Sequence, residues 1–171
     1  GASEEDKKAV ASRAYQIARA SGDSSAVDEK VDDVLKKLQA VDDAKPIAVK
    51  AGEDAANDAK SEGKTPSEQA AAAGEAAAQE LIDAGASAQD AIDAAVAAAE
   101  KAGGSLEDRA LAAGAAAAAH AKAAGDPVSD QADAALDAAA KVMLDGGASE
   151  EDKKAVASRA YQIARASGDS S

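Results

Sequence analysis

Apolar positions recur along this chain at alternating spacings of three and four residues. That is the period of a helix with one face turned inward, and no stretch alternates residue by residue as a half-buried strand would. The clearest seam is Val27, Val31, Val34, Leu38 and Val41. Val128, Ala132, Ala135, Ala139 and Val142 repeat it further on, and Val10, Ala14 and Ile17 form a shorter seam with a copy at Val156, Ala160 and Ile163. Between them the stripe thins to Ile47, Leu81, Ile82, Ile92, Val96 and Leu111 set among alanines.

The ends of these helices are punctuated by capping chemistry. Ser3 with Asp6, Ser25 with Asp28, Thr65 with Glu68, Ser87 with Asp90, Ser105 with Asp108 and Ser149 with Asp152 each place a hydroxyl three residues before an acid. In that arrangement a side-chain oxygen accepts an orphan amide of the first turn. Two further starts are predicted at Asp43 ahead of Pro46 and Asp126 ahead of Pro127, because proline is tolerated in a first turn and disfavoured later. Stops are predicted at Gly22, Gly63, Gly85, Gly103, Gly125 and Gly146, where a left-handed residue ends a helix. The expected spans are 4–20, 26–41, 44–61, 66–84, 88–102, 106–124, 127–144 and 150–167. The fold class is therefore all-α: eight short Ala-rich antiparallel helices arranged as helical hairpins, in an open solenoid or an irregular bundle.

Two repeats underlie this pattern. Residues 147–171 copy residues 1–25 without a change, so residues 1–146 read as one full period of a tandem helical repeat, about seven helices, and 147–171 as the first helix of the next. Within the period, Thr65, Glu68 and Gly74 superpose on Ser105, Asp108 and Gly114 at an offset of 40 residues, and the same start recurs at Ser149. Such units bury their faces against neighbours.

Composition changes the expected core. Of 171 residues 54 are alanine, and only 25 are Leu, Ile, Val, Met or Tyr, with no Phe, Trp or Cys. A buried alanine contributes about 0.8 kcal/mol per methyl-sized group against roughly 1.5–3 kcal/mol for Leu or Ile, so the core is thin. Close approach of helix axes and the high helix propensity of alanine compensate in part. The net charge of −13, from 32 acids and 19 bases, argues against nucleic acid and anionic membrane surfaces as partners. No apolar run approaches a membrane span, so no membrane insertion is expected, and without cysteine there is no disulfide or thiol chemistry.

Few residues offer chemistry. His120, flanked by Ala119 and Ala121, is the one histidine, and it lacks the second ligand or oriented base that catalysis or metal binding needs, so a structural role is expected. The serines sit at caps. Gly74 and Gly114 fall inside helices and suggest close crossings or a kink. The acidic group Asp23, Asp28, Glu29, Asp32 and Asp33 lacks the ligand alternation of a calcium loop and reads as a solvated face with pairs such as Asp32–Lys36 and Asp33–Lys37. Tyr15 and Tyr161, copies of one repeat position, are expected at a helix or unit boundary. No catalytic, cofactor-binding or metal-binding residue is assigned.

In composition the chain resembles the Ala-rich helical repeats of fibrous, silk-like and cell-surface proteins, a resemblance that lends no site residues. An extracellular or cell-surface location is favoured. The expected function is a non-enzymatic structural or spacer module of a tandem-repeat protein. Its expected partners are neighbouring copies of the same repeat, joined head to tail as a homo-oligomer by exchange of terminal helices. One alternative is a binding module that uses the Ala faces of residues 70–78 and 112–121 for ice, or gaps in a thin core for a small apolar ligand, although Thr65 is the only threonine. Another is an engineered or designed helical protein, in which caps this regular are standard practice.

Overall fold

The computed structural model describes residues 24–168, and every regular element among them is an α-helix: α1 (Ser24–Ser61), α2 (Pro66–Asp83), α3 (Ala88–Lys101), α4 (Leu106–Ala124), α5 (Val128–Asp145) and α6 (Glu150–Gly168). The helix expected over 4–20, with its cap at Ser3, its stop at Gly22, its seam Val10, Ala14 and Ile17, and Tyr15, lies outside the described residues. So do Asp23 and the side chains of residues 24–29. The chain divides into two units, Gly1–Ala40 and Val41–Ser171. The described part of the first is the N-terminal stretch of α1, where Val34 and Leu35 are 48% and 40% exposed and Val31 and Leu38 half-buried.

The described residues hold six helices where seven of the expected eight should fall, because the two expected over 26–41 and 44–61 are one helix of 38 residues. Asp43 is not a cap, and Pro46 lies inside α1. A local and a packing effect act together. Every observed break between helices carries a glycine with positive φ, at Gly63, Gly85, Gly103, Gly125 and Gly147, whereas residues 41–45 contain none. A non-glycine residue there would sacrifice about 1–2 kcal/mol to turn left-handed. Pro46 itself costs about 3 kcal/mol inside a helix, but the continuous helix keeps Val41, Ala44 and Ala48 buried in one row across it.

The five linkers share one design. A left-handed glycine is followed by one residue and then by the cap of the next helix: Gly63-Lys64-Thr65, Gly85-Ala86-Ser87, Gly103-Gly104-Ser105, Gly125-Asp126-Pro127 and Gly147-Ala148-Ser149. In each, the amide after the glycine returns to a carbonyl five residues back, at Ala59, Leu81, Ala99, Ala121 and Met143, over distances of 2.9–3.0 Å. All five acceptor residues are buried, so each turn is anchored to the core. The stop expected at Gly146 falls one residue later, since Gly146 keeps a right-handed φ of −78° and Gly147 turns at +74°. The cap expected at Asp126 is likewise displaced. Pro127 is the N-cap of α5, with no side-chain cap bond, and the Asp126 carbonyl accepts Gln131 Nε2 at 2.7 Å.

Within Val41–Ser171 each helix from α2 onward packs on the next, and α2 on α4 and α4 on α6 as well. The core is almost entirely alanine. Among the described residues Leu81, Met143, Val41 and Val156 are the only larger buried apolar ones, while Ile47, expected in the core, is 54% exposed and Ile163 48%. Both are displaced by smaller neighbours: Ala48 on α1 and Ala164 on α6 take the buried positions. Gly74 and Gly114 lie at crossings. A Cβ on Gly74 would stand 3.2 Å from the Ala95 carbonyl oxygen of α3 and 2.8 Å from Ala112 Cβ of α4; on Gly114, 2.9 Å from the Ala135 carbonyl oxygen of α5 and 3.0 Å from Ala160 Cβ of α6. Gly52 repeats the arrangement against the Ala73 carbonyl oxygen and Ala98 Cβ, both at 3.0 Å. In all three the facing carbonyl lies 21 residues after the glycine.

Candidate functional site

Helices two apart in the chain close on each other at Gly74 and Gly114. Gly74 and Gly114 each fall nine residues after the cap of their helix, and the same position of α3, nine residues after Ser87, is Val96. Between α3 and α5, floored by α4, lies an open groove of about 710 Å³. Its walls are Ile92 and Val96 on one side and Ala134, Ala138 and Val142 on the other, with Ala117, His120 and Ala121 beneath. Polar groups sit around this apolar strip: Lys141 Nζ reaches across to Gln89 Oε1 at 3.5 Å, and Arg109 pairs with Glu100 at 3.2 Å. The Arg109 Nε is buried and has no hydrogen-bond partner.

A second groove, of about 700 Å³, lies between α1 and α3 over α2, with Ala77 and Leu81 in its floor. Its lining too carries charged residues, and Lys101 of α3 pairs across it with Glu53 of α1. A smaller cleft of about 480 Å³ separates the starts of α4 and α6, where Arg159 Nη1 meets Glu107 Oε1 at 2.7 Å.

His120, for which a structural role is expected, stands on α4. It is half-buried, and its Nε2 lies 3.2 Å from the Ala86 carbonyl oxygen in the α2–α3 turn. A carbonyl only accepts, so Nε2 carries the proton and ties α4 to that turn. No group of three or more His, Cys, Asp or Glu that could hold a metal ion occurs among the described residues. The cap hydroxyls are engaged with their acids. Ser87 Oγ donates to Asp90 at 2.6 Å and Ser149 Oγ to Asp152 at 2.7 Å, while Thr65 with Glu68 and Ser105 with Asp108 form reciprocal capping boxes. The Thr65 amide and hydroxyl hold Glu68 below its usual pKa. For Asp108 partial burial works upward but is outweighed by hydrogen bonds from the Ser105 hydroxyl and amide and the Ser67 hydroxyl and by the Arg159 charge, so its pKa also falls.

Asp33 and Lys37 form the expected pair at 2.9 Å on an exposed face. Tyr161 is half-buried against the cluster shared by α4, α5 and α6. The alanine runs at 70–78 and 112–121 are mostly consumed by packing: Ala70, Ala73, Ala77, Ala78, Ala112, Ala113, Ala116, Ala117 and Ala121 are buried. The grooves went unforeseen. For the α3–α5 groove the sequence holds one signal, Val96 at a position that is glycine in α2 and α4. Comparison of the chain with protein-family models, curated sequences and solved structures finds no match.

Proposed function

We propose that this chain is a non-enzymatic structural or spacer module, one period of a tandem helical array whose partners are neighbouring copies of the same repeat. The observation that carries the reading is the recurrence of one crossing and one turn. Glycine faces a carbonyl 21 residues on at three crossings, and the same three-residue linker joins all five helix pairs of the described chain. A stack built by one rule of addition needs no unique partner at its end, and the sequence copy at 147–171 supplies the next helix under that rule. In a nearest-neighbour array, joining two periods in one chain raises the melting temperature and lengthens the particle by the same increment each time. Calorimetry and small-angle scattering on one, two and three joined periods measure both, and a melting temperature independent of period number would refute the reading.

The second reading is a site for a small apolar ligand in the α3–α5 groove. It is favoured by a volume within the roughly 300–1,000 Å³ common for ligand pockets and by a few polar groups around an apolar strip. Filling the groove with Val96→Trp should abolish any saturable binding of an aliphatic alcohol or fatty acid seen by calorimetry. Equal binding by the variant counts against it.

A further inference from the structure

α6 is the one helix whose sequence exists twice. It seats on α4 and α5 through Val156, Ala157, Ala160 and Ala164, all buried, with Ala160 over Gly114 and Arg159 paired to Glu107 at 2.7 Å. Residues 1–25 carry the same groups at the same spacing, as Val10, Ala11, Arg13, Ala14 and Ala18. Whatever complementarity the α4–α5 face has for α6, it therefore has for the opening segment of a second copy. At the end of the seat Arg165, Ala166 and Ser167 are exposed, and Gly168 meets the Val128 side chain of α5 where a Cβ would not fit, a position that is Gly22 in residues 1–25.

We propose that the face of α4 and α5 that seats α6 is the docking site for residues 1–25 of a second copy of this chain, so that copies join head to tail. Each chain then carries one donor segment and one acceptor face, a heterologous contact that extends into open-ended assemblies. The competitor is α6 itself, tethered by a short linker at an effective concentration of about millimolar, so exchange between intact chains begins only near that concentration. Removing the competitor lowers the threshold by orders of magnitude. The inference rests on the array reading, but its failure leaves that reading standing, because covalently joined periods need no docking in trans.

Ala160→Arg unseats α6 in the full chain while leaving residues 1–25 intact, and Ala14→Arg makes the same change in the other copy. At tens of micromolar, light scattering should show Ala160→Arg as a ladder of dimers and larger species, and the Ala14→Arg/Ala160→Arg double variant as a monomer. Equal mass distributions for the two overturn the proposal. A second measurement leaves the packing undisturbed. Chains with Arg13→Cys are mixed with chains carrying Glu107→Cys, the counterpart of the Arg159–Glu107 pair, and oxidised with diamide. An intermolecular disulfide should form with a yield rising at least tenfold between 50 µM and 1 mM and exceeding that of Arg13→Cys with Glu100→Cys. A yield no greater than that control overturns the proposal.

Discussion

At the scale of single residues, size matters more here than hydrophobicity. Ala95, Ala99, Ala113, Ala132 and Ala135 are fully buried, while Ile47, Val49, Leu144 and Ile163 are about half exposed. The usual ranking is inverted because helices that approach until a carbonyl faces a glycine leave no room for a branched side chain. Gly114→Leu should therefore destabilise the protein by about 1–3 kcal/mol, a fall of roughly 4–10 °C in melting temperature, whereas Leu at the exposed neighbour Ala115 should change it little. Thermal denaturation followed by circular dichroism compares the two. Gly74 and Gly114 were recognisable from the sequence as interior glycines. Which backbone faces each was not, since the partner carbonyl lies on another helix.

At the scale of helices, boundaries were legible wherever they depend on groups close in sequence. Thr65, Ser87, Ser105 and Ser149 cap as expected because each hydroxyl meets an amide three residues on. The capping box of α4 also ties stability to pH. With Asp108 held below its unfolded pKa, its contribution is complete above about pH 4 and is lost as pH falls through the lower folded value. Asp108→Asn should lower stability at pH 6, and the gap to the parent should narrow toward pH 2–3, as measured by urea denaturation. Pro46 shows the opposite case, in which the local signal for a new helix was overridden by the buried row Val41, Ala44 and Ala48. Replacing it by alanine should stabilise α1 by as much as ~3 kcal/mol, because it restores an amide and removes a ring from a helix that does not break there. A rise in melting temperature for Pro46→Ala checks this, and a fall would mean that Pro46 ends a helix after all.

At the scale of the whole molecule, charge opposes a thin core. The net charge is −13, and the ion pairs among the described residues are mostly exposed ones that contribute little each. Self-repulsion should therefore dominate the electrostatics, and raising sodium chloride from 10 to 300 mM should increase the melting temperature by screening it. A protein held mainly by its ion pairs would show a decrease. Both the fit of α6 to α4 and α5 and the grooves beside α3 belong to this scale, because each depends on helices that are not consecutive.

The all-helical class, the capped starts and the glycine-closed turns follow from the sequence by itself, because propensity, capping and left-handed turns are interactions among residues within about five positions. The identity of residues 1–25 with 147–171 is likewise a fact of sequence alone. Only the tertiary structure decided that a buried row of Val41, Ala44 and Ala48 carries α1 through Pro46, that alanine rather than isoleucine fills the core, and which backbone faces Gly74 and Gly114. Those outcomes turn on how near two helix axes come, a distance set by the smallest residue at each crossing and the backbone it meets.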